Sequence, residues 1–253
     1  MKKDSLGDRM KANYENISKT RLTRRTPVIL RLDGKAFHTF TRGFEVPFDN
    51  ALIMTMQQTM MLLCEEIMNV QLGYVQSDEI SLLLCDYKRH STQAWFDNEV
   101  EKMCSIAASM ATLHFNKLFE INDSSVFQEV SIKQAHKRAM RKGAMFDCRC
   151  FNIPKEEVCN YFIWRQQDAA RNSIQMVGHA NFSVKQMHKK NTNDIQDMLF
   201  TECGINWNDY PTVYKRGSCC VKDDAGWHID RNIPIFTQCR DYVEQHVYIE
   251  ENE

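Results

Sequence analysis

Asp33, Gly34, Lys35 and His38 fall together in the segment Arg31-Leu32-Asp33-Gly34-Lys35-Ala36-Phe37-His38, and their types suit one kind of chemistry. A carboxylate at a strand end beside exposed peptide N–H groups can serve a metal-bound polyphosphate. The acid takes the metal, the amides take phosphate oxygens and Lys35 adds positive charge. Gly34 lets the backbone turn and lets a ligand come close. The same short pattern also describes an ordinary strand-to-turn junction, so alone it does not decide function. A second acidic spot follows at Gln76-Ser77-Asp78-Glu79. Asp33 and Asp78 side by side make a hard, oxygen-rich site for Mg2+, and carboxylates sharing two such ions are the usual equipment of nucleotidyl transfer. The plainer reading is a polar hairpin tip that solvates its acids.

These residues need elements to position them. The apolar run Pro27-Val28-Ile29-Leu30 reads as a buried strand that delivers Asp33 to its end. The stretch Gly73–Leu84 reads as a hairpin, two β-rich arms about the polar tip. Between them Asp49 is an N-cap, and Leu52, Met56, Met60, Leu63 and Ile67 repeat at three and four residues. That stripe predicts a helix facing a core. The first third is therefore strand, helix, strand, turn, strand. Its acidic spots lie at the end of the first strand and between the next two. The order matches the palm of polymerases and nucleotide cyclases, and the expected class is α/β (α+β): an antiparallel sheet with packed helices and a helical elaboration.

The rest of the chain supplies further elements. Asp4 to Arg25 reads as a polar N-terminal helix ended by Pro27, with Leu6, Met10, Tyr14 and Ile17 near helical spacing. Phe96–Phe119 reads as a second long helix with Val100, Met103, Ala107, Met110 and Leu113 inward. Glu129–Gly143 is basic and either helical or mobile. Phe146–Phe151 alternates like a strand. Pro154, Glu156 and Glu157 open a helix that runs through Trp164-Arg165-Gln166-Gln167-Asp168 to Ser173. Trp164 is assigned to packing, and Arg165, Gln167 and Asp168 to polar contacts or a network. Thr192-Asn193-Asp194 caps Ile195–Cys203, which Gly204 ends. Tyr214–Val221 and Trp227–Ile229 read as strands about the turn Asp223-Asp224-Ala225-Gly226. From Thr237 onward too few signals remain to place an element. No repeat or linker divides the chain, so one domain over 1–253 is expected, with a core over about 27–150 and an elaboration over 151–253.

A hydrophobic share of 43% over 253 residues supports a sizeable core. The net charge of −1 does not itself point to nucleic acid. The basic residues nonetheless cluster, at Arg21, Arg24 and Arg25, at Lys133, His136, Lys137, Arg138, Arg141 and Lys142, and at Lys185, His188, Lys189 and Lys190. Each cluster is either a solvated face or a contact to RNA phosphates. Acids collect at Glu244 and at Glu250-Glu251-Asn252-Glu253. Ten cysteines invite a zinc or disulfide reading. However, Cys64, Cys85 and Cys104 sit in apolar stretches, and Cys148-Arg149-Cys150 and Cys219-Cys220 lack paired Cys-x-x-Cys spacing. Reduced core thiols are expected instead. No apolar run is long enough to span a bilayer and the N-terminus has no signal-peptide core, so a cytoplasmic protein with no membrane partner is expected.

Taken together, Arg31–His38 with Phe40, Gln76-Ser77-Asp78-Glu79 and Trp164-Arg165-Gln166-Gln167-Asp168 closely resemble the histidine-tRNA guanylyltransferase family, and most of all its Thg-like branch. The resemblance covers nearly the whole chain in the same order. It implies a palm that works as a reverse, 3′–5′ polymerase on the 5′ end of tRNA. The incoming nucleotide donates its 3′-hydroxyl, and the tRNA end is activated with ATP or already carries a triphosphate. The resemblance also implies two Mg2+ ions per site. Asp33 and Asp78 match the metal carboxylates and catalytic acids, and Gly34 matches a residue offering its carbonyl to a metal. Lys35, Ala36, Phe37 and His38 match the loop whose amides hold the triphosphate of ATP, GTP or another nucleotide. Ser77 matches a hydroxyl contact to it, and Glu79 a supporting acid in the catalytic set. The implied partners are the 5′ end and acceptor stem of tRNA, and the implied assembly is a homotetramer.

One departure bears on substrate. Where members acting on histidine tRNA carry His-Ile-Asn-Asn, this chain reads Ala170-Arg171-Asn172-Ser173. The expectation is template-directed repair of 5′-truncated tRNA. The alternatives are guanosine addition to histidine tRNA and a catalytically dead RNA-binding relative. Retention of Asp33, Gly34, Ser77 and Asp78 speaks against the dead site. The Trp164–Asp168 segment speaks against a cyclase or a forward polymerase on the same palm.

Overall fold

β-rich runs and amphipathic stretches alternate along the chain, and a computed structural model, which describes residues 5–123 and 129–249, turns them into a sheet between helices. In chain order the elements are α1 (Ser5–Met10), β1 (Val28–Gly34), α2 (Phe37–Phe40), α3 (Asn50–Glu66), β2 (Val70–Gln76), β3 (Glu79–Leu84), α4 (Val100–Asn122), α5 (Val130–Lys142), β4 (Phe146–Asn152), α6 (Lys155–Asn181), α7 (Val184–Met187), α8 (Thr192–Cys203), α9 (Thr212–Arg216), β5 (Ser218–Asp223), β6 (Gly226–Asp230) and α10 (Asp241–Glu244). The strands form one six-stranded sheet in the order β4-β1-β3-β2-β5-β6, and every pairing is antiparallel. The expected antiparallel α/β architecture is therefore present.

The central strands are apolar on both faces because helices cover both. On one face Leu30, Leu32, Ile80 and Leu82 pack with Met56 and Met60 of α3 and with Met103, Ala107 and Phe115 of α4. On the other, Ile29, Leu72, Tyr74 and Leu83 meet Val158 and Phe162 of α6 and Phe236, Val243 and Val247 near the C-terminus. Burying each such aliphatic side chain contributes about 1.5–3 kcal/mol. The far half of α6 forms a separate cluster with α7 and α8, through Ile174, Val177, Met187, Ile195 and Leu199. This is the helical elaboration. No helix among the described residues is long and apolar enough to cross a membrane.

Several elements differ from the sequence-based expectation. The N-terminal helix breaks off after a π-helical turn at Lys11–Glu15 and buries no residue, as follows for a short helix without a packed face. From Thr20 the chain instead pairs with the start of α4, Leu22 N–H donating to Asn98 carbonyl and Val100 N–H to Thr20 carbonyl. The cap of α8 is Asn191, in a capping box with Asp194. The expected strand from Tyr214 starts only at Ser218, after α9. Gly217 makes that break at φ +80, where an added Cβ would lie 2.3 Å from the Val75 carbonyl. Helix α6 runs on to Asn181, and the segment without signals closes over the sheet through buried Val243 and Val247. Asp4 and the acidic 250–253 tail lie outside the described residues.

The basic stretch Glu129–Gly143 is helical over α5, and one buried residue fastens it. The His136 side chain is fully buried, with Nδ1 2.9 Å from Asp123 Oδ1 and Nε2 2.8 Å from Asp49 Oδ2. Two carboxylates facing both ring nitrogens require both to be donors, which makes the ring an imidazolium. Burial pushes the His136 pKa down, but Asp49 and Asp123 outweigh it and raise it above the ordinary value. The Asp49 pKa moves the opposite way: burial raises it, and His136 with the Leu52 N–H lowers it further. A histidine with a raised folded-state pKa contributes stability in full below its unfolded pKa and loses it as pH rises through the folded one. His136→Gln should therefore cost about 3 kcal/mol in chemical denaturation at pH 6, since it leaves buried carboxylates without their cation. The gap to the unsubstituted protein should narrow as pH is raised; a gap that widens would refute the imidazolium.

Candidate active site

Pairing of β1 places its last acid between two others. Asp33 stands opposite Glu79 of β3 and opposite Asp147 of β4, so all three leave the sheet on the face that α6 covers. Gln76 pairs with Glu79, which leaves only Ser77 and Asp78 at the tip of the β2–β3 hairpin. The Gly34 N–H donates to the Asp78 carbonyl at 3.1 Å and ties the tip to the end of β1. The two acidic spots of the sequence thus meet at one end of the sheet.

Asp33 and Asp78 are half-buried, and neither has an ion-pair partner among the described residues. Burial, together with the negative charge of Asp33, pushes the Asp78 carboxyl up to about 6, against its own peptide N–H and the Ser77 hydroxyl, which lower it. The Ser77 hydroxyl donates to Asp78 Oδ1 at 3.1 Å. Two uncompensated carboxylates that repel each other in a half-dry place fit the donor set of a hard divalent cation. Among the described residues no three of His, Cys, Asp and Glu are arranged to hold a metal ion. The fit therefore rests on the Asp33–Asp78 pair and on backbone oxygens. Asp147 turns toward Arg149, 3.8 Å away, and is more than half exposed.

Glu79, next in sequence to Asp78, is neutralised instead. Its Oε2 accepts from Arg31 Nε at 2.9 Å and lies 2.6 Å from Arg31 Nη2, and its Oε1 accepts from Arg165 Nε at 2.7 Å. Arg165 Nη2 also donates to Asp168 at 2.7 Å, and Arg171 reaches the other Asp168 oxygen. The Trp164 ring lies against both guanidinium groups, 4.3 Å from Arg165 and 5.6 Å from Arg31.

The sequence model of the tRNAHis guanylyltransferase family matches residues 7–154, and that of the Thg1 C terminal domain matches residues 156–247. The chain belongs to the tRNAHis guanylyltransferase family. It is similar to a bacterial tRNA(His) guanylyltransferase (Thg1)-like protein solved in complex with ATP, at 45% identity and TM-score 0.87 over 97% of this chain and 100% of that one. A bacterial Thg1-like protein in complex with GTP gives 42% identity and TM-score 0.80 over the same shares. The tRNA(His) guanylyltransferase of Saccharomyces cerevisiae is 27% identical over 217 residues, 80% of this chain and 85% of that protein. The resemblance read from the three motifs is borne out.

Within this guanylyltransferase-family site, two sequence expectations change. Glu79, expected in the catalytic set, has both of its oxygens engaged by arginines, which join the hairpin to β1 and α6. Gly34 was expected to turn the chain and admit a ligand. It instead ends β1 in register with Phe146, and the left-handed residue is Ala36, φ 55. Glycine is required at 34 because an added Cβ would lie 2.3–2.7 Å from the Phe37 ring. The Lys35 N–H is also occupied, donating to the Met145 carbonyl at 2.8 Å. This leaves the amides of Ala36, Phe37 and His38, at the start of α2, where the first N–H groups of a helical turn have no intrahelical acceptor. Phe37 itself is buried against Phe40, Phe115 and Phe146, while the side chains of Lys35 and His38 are exposed. Trp164, assigned to packing, is 52% exposed and acts as a ring cover on the arginines.

Asn172, the one retained member of the altered motif, lines a cavity of about 80 Å³ with Gln76, Ser77, Ser173 and Tyr214. The roomier grooves, about 610 Å³ beside Arg24 and Lys102 and about 570 Å³ beside Thr112 and Met145, do not contain the acidic pair. The acids stand at an open sheet end. Sequence reasoning missed the roles of Arg31, Met145 and Asp147, since strand register decides that Arg31 meets Glu79 and that Met145 and Asp147 lie beside the end of β1. Gly34→Ala should cost about 1–3 kcal/mol by overpacking against Phe37. In a double-mutant cycle the Gly34→Ala/Phe37→Ala protein should be less destabilised than the sum of the single changes by about 1 kcal/mol. Strict additivity would return the glycine to a ligand-approach role.

Proposed function

We propose that this chain adds nucleotides to the 5′ end of tRNA in the 3′–5′ direction and restores truncated ends against the opposite strand as template. The observation that carries the reading is the uncompensated Asp33–Asp78 pair at the open end of the sheet, in a member of the tRNAHis guanylyltransferase family. The similar bacterial proteins were solved with ATP and with GTP, which supports nucleoside triphosphates as ligands here. In the same reading residues 1–253 act as a single catalytic domain, and the working form is a cytoplasmic homotetramer.

The residues divide the work. Asp33, Asp78 and the Gly34 carbonyl would hold Mg2+, two ions per site. When bound, these ions neutralise charge on the reacting and leaving phosphates. The amides of Ala36, Phe37 and His38 donate to a triphosphate, and the exposed Lys35 ammonium adds charge from the side. The Ser77 hydroxyl orients Asp78 and stands ready for a phosphate oxygen. Glu79, locked by Arg31 and Arg165, keeps the hairpin tip still. The 3′-hydroxyl of the incoming nucleotide attacks the activated 5′ phosphorus of the tRNA, and AMP or pyrophosphate leaves. No base reader replaces the His of the histidine-tRNA motif at Ala170, so pairing with the opposite strand becomes the source of selectivity.

Asp33→Ala and Asp78→Ala should each lower nucleotide addition by roughly a thousandfold, the equivalent of about 4 kcal/mol of lost charge stabilisation. Asp78→Asn should at the same time raise the melting temperature in EDTA at pH 8. A carboxyl with a raised folded-state pKa costs stability as pH climbs from its unfolded value to about 6, and the full cost persists above that. A folded variant with near-normal addition, or an Asn variant less stable in EDTA, counts against that residue's role.

Substrate choice is tested on a non-histidine tRNA lacking its first nucleotide, with the opposing acceptor-stem base changed through all four identities and the added nucleotide sequenced. The Watson–Crick complement should be added each time, since wrong pairs forfeit roughly 1–3 kcal/mol or more. Guanosine added whatever the opposing base, and only on tRNA with a histidine anticodon, would instead identify a histidine-tRNA guanylyltransferase.

A further inference from the structure

The three basic clusters of the sequence meet different surroundings once the chain is folded. At Arg21, Arg24 and Arg25 the charge is met within the protein. Arg21 and Arg24 both bond to Asp97, Arg24 Nε donates to Asp86 Oδ2 at 2.7 Å, and the Arg25 N–H donates to the other Asp86 oxygen at 2.8 Å. Lys185, His188, Lys189 and Lys190 lie in and just after α7, which Met187 packs against Val177 and Ile195 in the helical elaboration. Lys137, Arg138, Arg141 and Lys142 of α5 are all exposed. None of these four has an ion-pair partner among the described residues.

The four share one side of α5, since residues one, four and five apart lie within a narrow arc of a helix. The other side buries Ala135, His136 and Ala139. Val130–Lys142 contains no acid. Lys137 with Arg141, and Arg138 with Lys142, are like-charge pairs four residues apart, which weaken a helix. The helix dipole favours Arg141 and Lys142 near the C-terminus, but it gives no reason for Lys137 and Arg138. A face of one sign with no internal partner suits a polyanion.

Topology puts this face beside the acidic pair. Helix α5 leads straight into β4, and β4 begins with Phe146 opposite Gly34. The last turn of α5 therefore stands at the end of the sheet that carries Asp33. Just past it, the Met145 carbonyl accepts the Lys35 N–H at 2.8 Å. Along its length α5 lies against the chain that follows α2: Arg138 Nη2 donates to the Arg42 carbonyl, and the His136 ring is 4.4 Å from that of Phe44. The buried His136, held between Asp49 and Asp123, keeps the helix in that place.

We propose, resting on the tRNA 5′-end reading above, that the exposed face of α5 docks the acceptor-stem backbone of tRNA, with Lys137, Arg141 and Lys142 against its phosphates. Cations on phosphates release counterions and hold a duplex whatever its sequence. An A-form stem offers its backbone more readily than its base edges. The face thus holds any acceptor stem beside Asp33 and Asp78 and leaves the choice of nucleotide to pairing.

The test compares the unsubstituted full-length protein with Lys137→Ala/Arg141→Ala/Lys142→Ala and with Lys185→Ala/Lys189→Ala/Lys190→Ala, which removes the same charge around α7. Arg138 is kept for its bond to Arg42. Binding of a 5′-truncated tRNA is measured across about 50–200 mM KCl, where counterion release makes each phosphate contact worth about five- to eightfold near 0.1 M. The α5 variant should bind roughly a hundredfold more weakly, with a log–log salt slope flatter by about 2–3. Its ATP affinity and melting temperature should hold, and KM for tRNA should rise more than kcat falls. The α7 variant should lose far less. The assignment is overturned if the α5 variant binds tRNA like the unsubstituted protein, or no worse than the α7 variant. Nucleotide addition that persists in that case refutes the docking face alone, whereas an unsubstituted protein that neither binds nor extends tRNA overturns both readings. A change in sedimentation with tRNA affinity intact would instead make α5 a contact between copies of the chain.

Discussion

The buried contact of Glu79 with Arg31 and Arg165 is the constraint on which the site depends. It joins β1, β3 and α6 at one point, with the Glu79 and Arg165 side chains each 4% exposed. Removing one member would strand a charge in a dry place, at a cost of about 3–5 kcal/mol. The three elements therefore have one way to meet. Asp168 and the Trp164 ring extend the same network along α6, so a segment distant in sequence becomes the wall behind the hairpin tip.

That network also sorts the acids. Four carboxylates lie near one end of the sheet, and the protein treats them differently. Glu79 is cancelled by cations, and Asp147 is turned to solvent and Arg149. Only Asp33 and Asp78 are left partly dry and unpaired, which is why Asp78 is held to a raised pKa. Backbone strain is present here, as it also is at Phe96, Asp97 and Asn98 before α4. Ala36 and Ser77 both adopt left-handed φ values, each costing roughly 1–2 kcal/mol for a residue with a side chain. Unfavourable charge and unfavourable backbone thus coincide beside the acidic pair.

The layers around the sheet serve different ends. The α3–α4 face holds an aromatic cluster of Phe37, Phe40, Phe44, Phe115 and Phe119 that grips the turn after Asp33 from beneath. Through Phe44 that cluster reaches His136, so the basic α5 is fastened to the same body as the turn after Asp33. The α6 face brings the arginines. The C-terminal part contributes β5 and β6 to the sheet, and the bonds of Gln57 to Ser218 and of Tyr74 to Arg216 tie it to α3 and β2.

Local patterns were enough to read much of this protein from its residues alone. The apolar run into Asp33, the hairpin about Asp78, the Asp49 cap and the α3 stripe are set by near neighbours, through side-chain period and capping, and they stand as read. The strand ends that carry the two acids were also visible in a one-dimensional pattern, and the structure brings them to one end of the sheet. What lay beyond reach was set by partners far apart in the chain. Whether Glu79 is an acid at work or an anchor depends on Arg165, 86 residues away. Whether Gly34 serves a ligand or a ring depends on how Phe37 folds back over it. A residue's type limits what it can do, but its charge state and its access are set by the groups that packing brings within a few ångströms.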